Sequence, residues 1–144
     1  MLSQLWRRRN ERKATLIVID EAHNICPAEP ETALSSLLTE SVIRIAAEGR
    51  KFGLYLLLAS QRPQKIHPNV LSQCDNLMLM RMNSIADLNY LSEVFSFVSP
   101  NLLAEAAHFR QGNSLIAGQI VPTPTLVEFV QRISQEGGSD VSVT

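Results

Sequence analysis

An α/β fold, with a mainly parallel sheet flanked by helices and a C-terminal β-hairpin, is predicted by three features of the 144-residue sequence. Three largely apolar runs, Ala14–Ile19, Leu54–Ala59 and Asn76–Met80, have the length of strands and are too short for buried helices. Between the first two lies a stretch with helical spacing of its apolar residues, as strand-helix-strand units require. Each apolar run is followed at once by polar residues, Asp20-Glu21, Ser60-Gln61 and Arg81. In open α/β sheets ligands bind beyond the carboxyl ends of the strands, so these three sets are expected to converge on one edge.

The elements follow in order. Thr15-Leu16-Ile17-Val18-Ile19 is a continuous run rich in β-branched residues, which predicts a strand buried on both faces. After Pro27 and Pro30, the stripe Leu34, Leu37, Leu38, Val42, Ile45 and Ala46 predicts a helix that starts near Pro30-Glu31 and stops by Gly53. Leu54–Ala59 is the second strand, and Pro63 bars further ladder pairing beyond it. Asn76–Met80 is the third. Helices are expected over 85–95 and 101–109, then strands at Ser114–Ala117 and Thr125–Val130 across a Gly/Pro-containing turn. Residues 1–13 form a basic leader that reads as the interior of a longer reading frame, 14–131 the folded domain, and 132–144 a polar tail expected to fray.

Composition narrows the class. With 45% apolar and 19% charged residues the chain is an ordinary globular one. A formal charge of −1 provides no global attraction to nucleic acid, so any DNA contact must come from local basic clusters or from assembly. Cys26 and Cys74 match neither a zinc spacing nor a disulfide framework and read as two reduced thiols of a cytoplasmic protein. The apolar runs fall far short of the ~20 residues of a membrane helix, and no signal-peptide core opens the chain, so no membrane partner is expected.

The chemistry-bearing residues sit at the strand ends. A hydrophobic strand followed by Asp-Glu is the Walker B pattern, in which a rigid strand aims a carboxylate at nucleotide-bound Mg²⁺. Asp20 takes that role, and Glu21 polarises the attacking water from a position near the γ-phosphate but off the metal. The same pair also reads as an acidic cap after any buried strand. Gln61, an uncharged amide, can donate to a phosphate oxygen and accept from water, or satisfy local backbone groups instead. Arg44, Arg50 and Lys51 lie on or just past the intervening helix, where a guanidinium can reach a neighbouring subunit's γ-phosphate or remain a solvated charge.

Taken together, Leu16-Ile-Val-Ile-Asp-Glu-Ala-His23, Glu48-Gly-Arg-Lys-Phe-Gly53 and Leu57-Leu-Ala-Ser-Gln-Arg-Pro63 resemble the Walker B, pre-sensor helix and glutamine sensor of the HerA/FtsK-like P-loop ATPases. Leu79-Met-Arg81 and the 112–118 strand extend the resemblance over roughly residues 14–131. The resemblance implies a RecA/ASCE-like core and a ring-forming, usually hexameric motor that moves double-stranded DNA. It also implies ATP and Mg²⁺ bound between subunits and a possible nuclease partner. By position it makes Asp20 and Glu21 the Walker B acids, Gln61 the sensor and Arg50 the arginine finger, with Ser60, Arg62 and Arg81 at the phosphates. His23 matches the family's spelling as well as that of a packed, hydrogen-bonded ring.

One departure is large. The phosphate-binding pattern G-x-x-x-x-G-K-[ST] is absent from this sequence, and the resemblance therefore covers an incomplete core, the half without Walker A. In that class the strand feeding Walker A runs between the second and third strands found here, so those two are expected to be parallel and one strand apart. A DEAH-box helicase shares Asp-Glu-Ala-His, but its next strand would end in Ser-Ala-Thr where this one ends in Ala-Ser-Gln-Arg-Pro. Conjugation and DNA-packaging ATPases share the core. The reading from a different class is a non-catalytic interaction module, or a truncated or split ATPase subunit.

Overall fold

The computed structural model describes residues 1–130 and Ile133. The tail expected at 132–144 lies outside the described residues, Ile133 apart. Five strands and five α-helices follow in the order α1 (Leu2–Arg7), β1 (Thr15–Ile19), α2 (Ala33–Glu48), β2 (Leu54–Leu58), α3 (Pro68–Leu71), β3 (Asn76–Leu79), α4 (Ile85–Val94), α5 (Pro100–Ala104), β4 (Asn113–Gly118) and β5 (Thr125–Glu128). The class is α/β, as expected.

Parallel pairing is confined to β1 and β2, which run in register from Thr15 opposite Leu54 to Ile19 opposite Leu58. The crossover between them is α2, the standard way to join parallel neighbours. Thr32 caps α2 through a capping box with Ser35, a device worth about 1 kcal/mol. A 3₁₀ turn, Gly49–Phe52, then leads to Gly53, whose φ of 78° turns the chain into β2. The Thr15 N–H donates to the Gly53 carbonyl at 2.9 Å, so the two strands start together.

β3 does not pair with β2. It belongs to a separate three-stranded antiparallel sheet of order β3-β4-β5, in which Leu79 lies opposite Leu115 and β4 and β5 form the expected hairpin. Thus the sheet as a whole is less parallel than the sequence suggested. β2 and β3 share no ladder.

Two apolar clusters underlie the two sheets. Ile17, Ile19, Val42, Ile45, Leu54, Ile66 and Val70 form one, between the β1-β2 pair and α2. Leu79, Leu88, Leu91, Phe95, Leu103, Leu115 and Ala117 form the other. Val94 packs against both. Burying each such aliphatic side chain contributes roughly 1.5–3 kcal/mol relative to exposure.

The expectation that β1 is buried on both faces is corrected. Successive side chains of a strand point to opposite faces, and only Ile17 and Ile19 meet α2. Leu16 and Val18 are 62% and 60% exposed, and Tyr55 and Leu57 of β2 share that open face. No described element packs there. The helical stripe is corrected at its start too, since Leu34 and Leu37 are exposed and the buried positions of α2 are Thr39, Val42 and Ile45.

Gly118 closes β4 with φ 106°, and a Cβ there would collide with the Asp75 carbonyl. The Cα of Asn76, its register partner, would lie 2.7 Å from that Cβ, also too close. Gly118→Ala is therefore expected to destabilise the chain by about 2–3 kcal/mol, visible as a lower urea midpoint at unchanged slope. An unchanged midpoint would contradict this packing.

Candidate active site

The site is built where β1 and β2 end. The ladder continues one step beyond the strands: the Ala59 N–H donates to the Ile19 carbonyl at 2.9 Å, and the Ala22 N–H donates to the Ala59 carbonyl at 2.9 Å. Between these bonds the chain turns sharply at Glu21, whose φ of 47° and ψ of 51° lie in the left-handed region. For a residue with a Cβ this costs on the order of 1 kcal/mol or more. Two local features offset it. The Asp20 Oδ1 accepts the Glu21 N–H at 2.9 Å, and Ala22, fully buried, anchors the turn against the core.

That turn sends the Glu21 side chain back over the end of β2. Gln61 Nε2 donates to Glu21 Oε1 at 3.2 Å. His23 Nδ1 lies 2.9 Å from Ser60 Oγ and 3.3 Å from Glu21 Oε2. Only the Ser60 contact has hydrogen-bond geometry, and Glu21 Oε2 is buried without a hydrogen-bond partner. Proximity to His23 is thus an electrostatic contact and not a bonded ion pair. A lone pair on Nδ1 would face that carboxylate oxygen at close range, so the tautomer carrying its proton on Nδ1 is the favoured one. Ser60 Oγ also accepts the Arg62 N–H at 3.0 Å, which fixes the hydroxyl at the start of the loop after β2.

The loop after β1 is held from below. Pro27 bridges Ile66, the Ala28 N–H donates to the Lys65 carbonyl at 2.8 Å, and the His67 N–H donates to the Cys26 carbonyl at 2.9 Å. Cys26 is wholly buried there, and burial pushes its thiol up to about 11, so it is an inert packing residue. Both cysteines are free thiols.

Of the sequence-predicted residues, Asp20, Glu21, Ser60 and Gln61 are brought together. The Arg62 backbone joins them, while its side chain is exposed. Arg81 lies two residues past β3, in the other sheet, and forms no hydrogen bond or ion pair with the cluster. Arg50 sits in the 3₁₀ turn before β2, at the opposite end of that strand from Gln61. Within one chain, then, Arg50 does not meet Glu21.

Sequence reasoning did not foresee the His23–Ser60 link. The two residues are neighbours only through the β1-β2 register, for which no local pattern codes. Among the described residues no cluster of three or more His, Cys, Asp or Glu side chains could hold a metal by itself. Asp20 still suits Mg²⁺, which keeps several waters and is commonly held by one or two carboxylates together with phosphate oxygens.

Comparison with known proteins gives a consistent picture. The chain is 30% identical over 131 residues to the probable DNA double-strand break repair helicase HerA of Methanocaldococcus jannaschii, covering 91% of this chain and 25% of that protein. It is 34% identical over 125 residues to the DNA double-strand break repair helicase HerA of Sulfurisphaera tokodaii, covering 87% and 24% respectively. It therefore spans about a quarter of the length of these relatives. No family model matches.

Among solved structures, the genome packaging NTPase B204 of Sulfolobus turreted icosahedral virus 2, in complex with ATP-gammaS, superposes with a TM-score of 0.68 at 19% identity, covering 90% of this chain and 61% of that one. VirB4 of Thermoanaerobacter pseudethanolicus superposes with a TM-score of 0.67 at 15% identity, covering 92% and 36%. At such identities these likenesses speak for the fold alone. By sequence and by fold, this chain is a HerA/FtsK-like segment of the P-loop ATPase fold.

Proposed function

We propose that this chain is the Walker B and glutamine-sensor portion of an ATP-driven motor that translocates or unwinds double-stranded DNA. The observation that carries the reading is the Asp20, Glu21, Ser60, Gln61 and His23 cluster at the carboxyl edge of a parallel strand pair. The similarity to HerA helicases and the fold shared with a packaging NTPase supply the substrate classes, ATP and DNA. The open apolar face of β1 and β2 supports it too, since exposed Leu16, Val18, Tyr55 and Leu57 suit a sheet that further structure covers. We assign that cover to the half of the core that bears the phosphate loop.

In the complete machine MgATP supplies the electrophilic γ-phosphoryl group. Asp20 would hold the metal, its carboxylate oriented by the Glu21 N–H that donates to Oδ1. The Glu21 carboxylate takes a proton from the attacking water; Gln61 orients its Oε1 by a hydrogen bond, and Oε2, which lies 3.3 Å from His23 Nδ1, has no bonded partner and is left to accept. Ser60 holds His23 in place, so the acid on β1 is positioned by groups on β2. Gln61 can exchange its bond to Glu21 for one to a phosphate oxygen, which would couple nucleotide occupancy to the freedom of the base. Arg62 and Arg81 are assigned to the phosphates. Arg50 faces away from its own cluster and is assigned to a neighbouring subunit's γ-phosphate, which calls for a ring, and a hexamer is the form we propose. A nuclease partner belongs to the same proposal.

A second reading, a non-catalytic module, is favoured by one observation: the sequence has no G-x-x-x-x-G-K-[ST] loop to cradle the β- and γ-phosphates. Both readings expect the chain on its own to release no phosphate from MgATP above background in a coupled assay. Magnesium-dependent turnover lost in Glu21→Gln would overturn that expectation. They part when the chain is joined to an amino-terminal half bearing the phosphate loop.

The motor reading then expects turnover in which Glu21→Gln costs roughly 10²–10⁴-fold in kcat. Arg50→Ala is expected to cost about 10³-fold or more, as loss of an arginine finger does. Near-wild-type turnover in Glu21→Gln would refute the base assignment. Mixing Arg50→Ala with Glu21→Gln subunits should restore part of the activity if the finger acts across the interface.

A further inference from the structure

The formal charge of −1 conceals a strong segregation. Residues 1–13 carry five cations and one acid, and residues 44–53 carry three cations and one acid, a formal +6 in all. The five remaining cations face twelve acids, so the rest of the chain stands at −7.

The fold brings the two basic segments together. Trp6 of α1 packs edge-on against Phe52, with ring centroids 5.7 Å apart. The Arg9 guanidinium lies 4.8 Å from the Trp6 ring centroid and 5.4 Å from that of Phe52. Arg44 of α2 lies 5.9 Å from the Trp6 ring. Arg12 precedes β1 just where Gly53 precedes β2. All of this is at the amino-terminal edge of the strand pair, five strand residues away from Asp20 and Ser60, on the order of 15 Å at 3.3 Å per residue.

This surface is not neutralised from within. Its one ion pair among the described residues is Arg8 with Glu11, at 2.9 Å on exposed side chains. Arg7, Arg12, Lys13, Arg44 and Lys51 are exposed and form no ion pair among the described residues, Lys13 acting on Glu11 only at longer range. Like charges crowded together oppose folding, and this fold gathers them from two distant segments. Stacking on Trp6 and Phe52 also holds the Arg9 and Arg44 guanidinium groups in place, which lowers the entropy they would lose on binding an anion.

We propose that this amino-terminal edge is a binding surface for the phosphate backbone of double-stranded nucleic acid, separate from the nucleotide-facing edge. With Arg50 set aside for a neighbouring γ-phosphate, the remaining formal +5 is still too large and too widely spread for one triphosphate, whereas a duplex presents a charge about every 1.7 Å along its axis. A lipid surface suits it less well, because Trp6 is turned into the protein against Phe52 and beneath Arg9 and is not offered to a bilayer. The inference rests on the motor reading for its ligand class and adds the place of contact. Binding here needs no nucleotide and no complete motor.

The test is the fluorescence anisotropy of a labelled duplex titrated with the chain itself over a range of salt concentrations. Arg50, already assigned above, is left unchanged. In wild type, log K is expected to fall with log salt with a slope of about −4 or steeper, each neutralised phosphate contributing about −0.9. The variant Arg7→Gln/Arg12→Gln/Lys13→Gln/Lys51→Gln should flatten that slope by about 3 to 4 and weaken low-salt binding at least roughly tenfold. A milder Arg12→Gln/Lys13→Gln pair, expected to flatten it by about 2, keeps the test decisive if the fourfold variant melts early.

Lys65→Gln/Arg110→Gln, which alters exposed cations elsewhere, should leave both quantities within about twofold, since it removes no proposed phosphate contact. Three results would each overturn the proposal: no binding at low salt, an equal loss in the Lys65/Arg110 variant, or tighter binding to phosphatidylserine vesicles than to the duplex. ATP hydrolysis by the completed motor is measured separately, so failure of either reading leaves the other to stand or fall on its own assay.

Discussion

The parallel register of β1 with β2 is the constraint on which the rest depends. Setting Thr15 opposite Leu54 and Ile19 opposite Leu58 brings the acid turn of β1 level with the Ser60-Gln61 turn of β2. A slip of one residue would exchange buried Ile17 and Ile19 for Leu16 and Val18 and would part Glu21 from Gln61. The register is fixed from both ends, by the bond from the Thr15 N–H to the Gly53 carbonyl and by the Ile19–Ala59–Ala22 chain of backbone bonds. The same constraint sets Arg9 and Arg12 beside Phe52 and Gly53. Both proposed edges follow from one strand pair.

Local strain at Glu21 follows from that geometry. A carboxylate placed two residues past a strand would ordinarily continue in the strand's direction. The left-handed turn instead folds it over the neighbouring strand, where Gln61 and His23 meet its two oxygens. The Asp20 oxygen that receives the Glu21 N–H stabilises the turn, in addition to the metal role proposed for that carboxylate. A substitution at Asp20 would therefore disturb the position of Glu21 as well as any metal.

Much of this was legible in the sequence because the signals were local. Apolar runs of strand length gave β1, β2 and β3, and Asn113–Gly118 with Thr125–Glu128 gave the hairpin. The acids and the glutamine were recognisable because they stand directly after such runs. What escaped detection depended on tertiary contacts. Pairing of β3 with β4 in a sheet separate from β2 cannot be read from Asn76–Leu79 itself. The open face of β1 was misjudged because a run of Leu, Ile and Val does not say which neighbours cover it. Helix α1 was hidden under the cations of residues 1–13, although Leu2, Leu5 and Trp6 carry the apolar face that packs against the core.

The central claim is that Glu21 and Gln61 act as one unit across the strand pair. A double-mutant cycle on kcat in the motor completed with its phosphate-loop half, using Glu21→Gln, Gln61→Ala and the double variant, tests it most directly. Coupling through a shared water and a direct hydrogen bond predicts strong non-additivity, with the double variant scarcely slower than the slower single one. Losses that simply multiply would show that the two side chains work independently and would contradict the account.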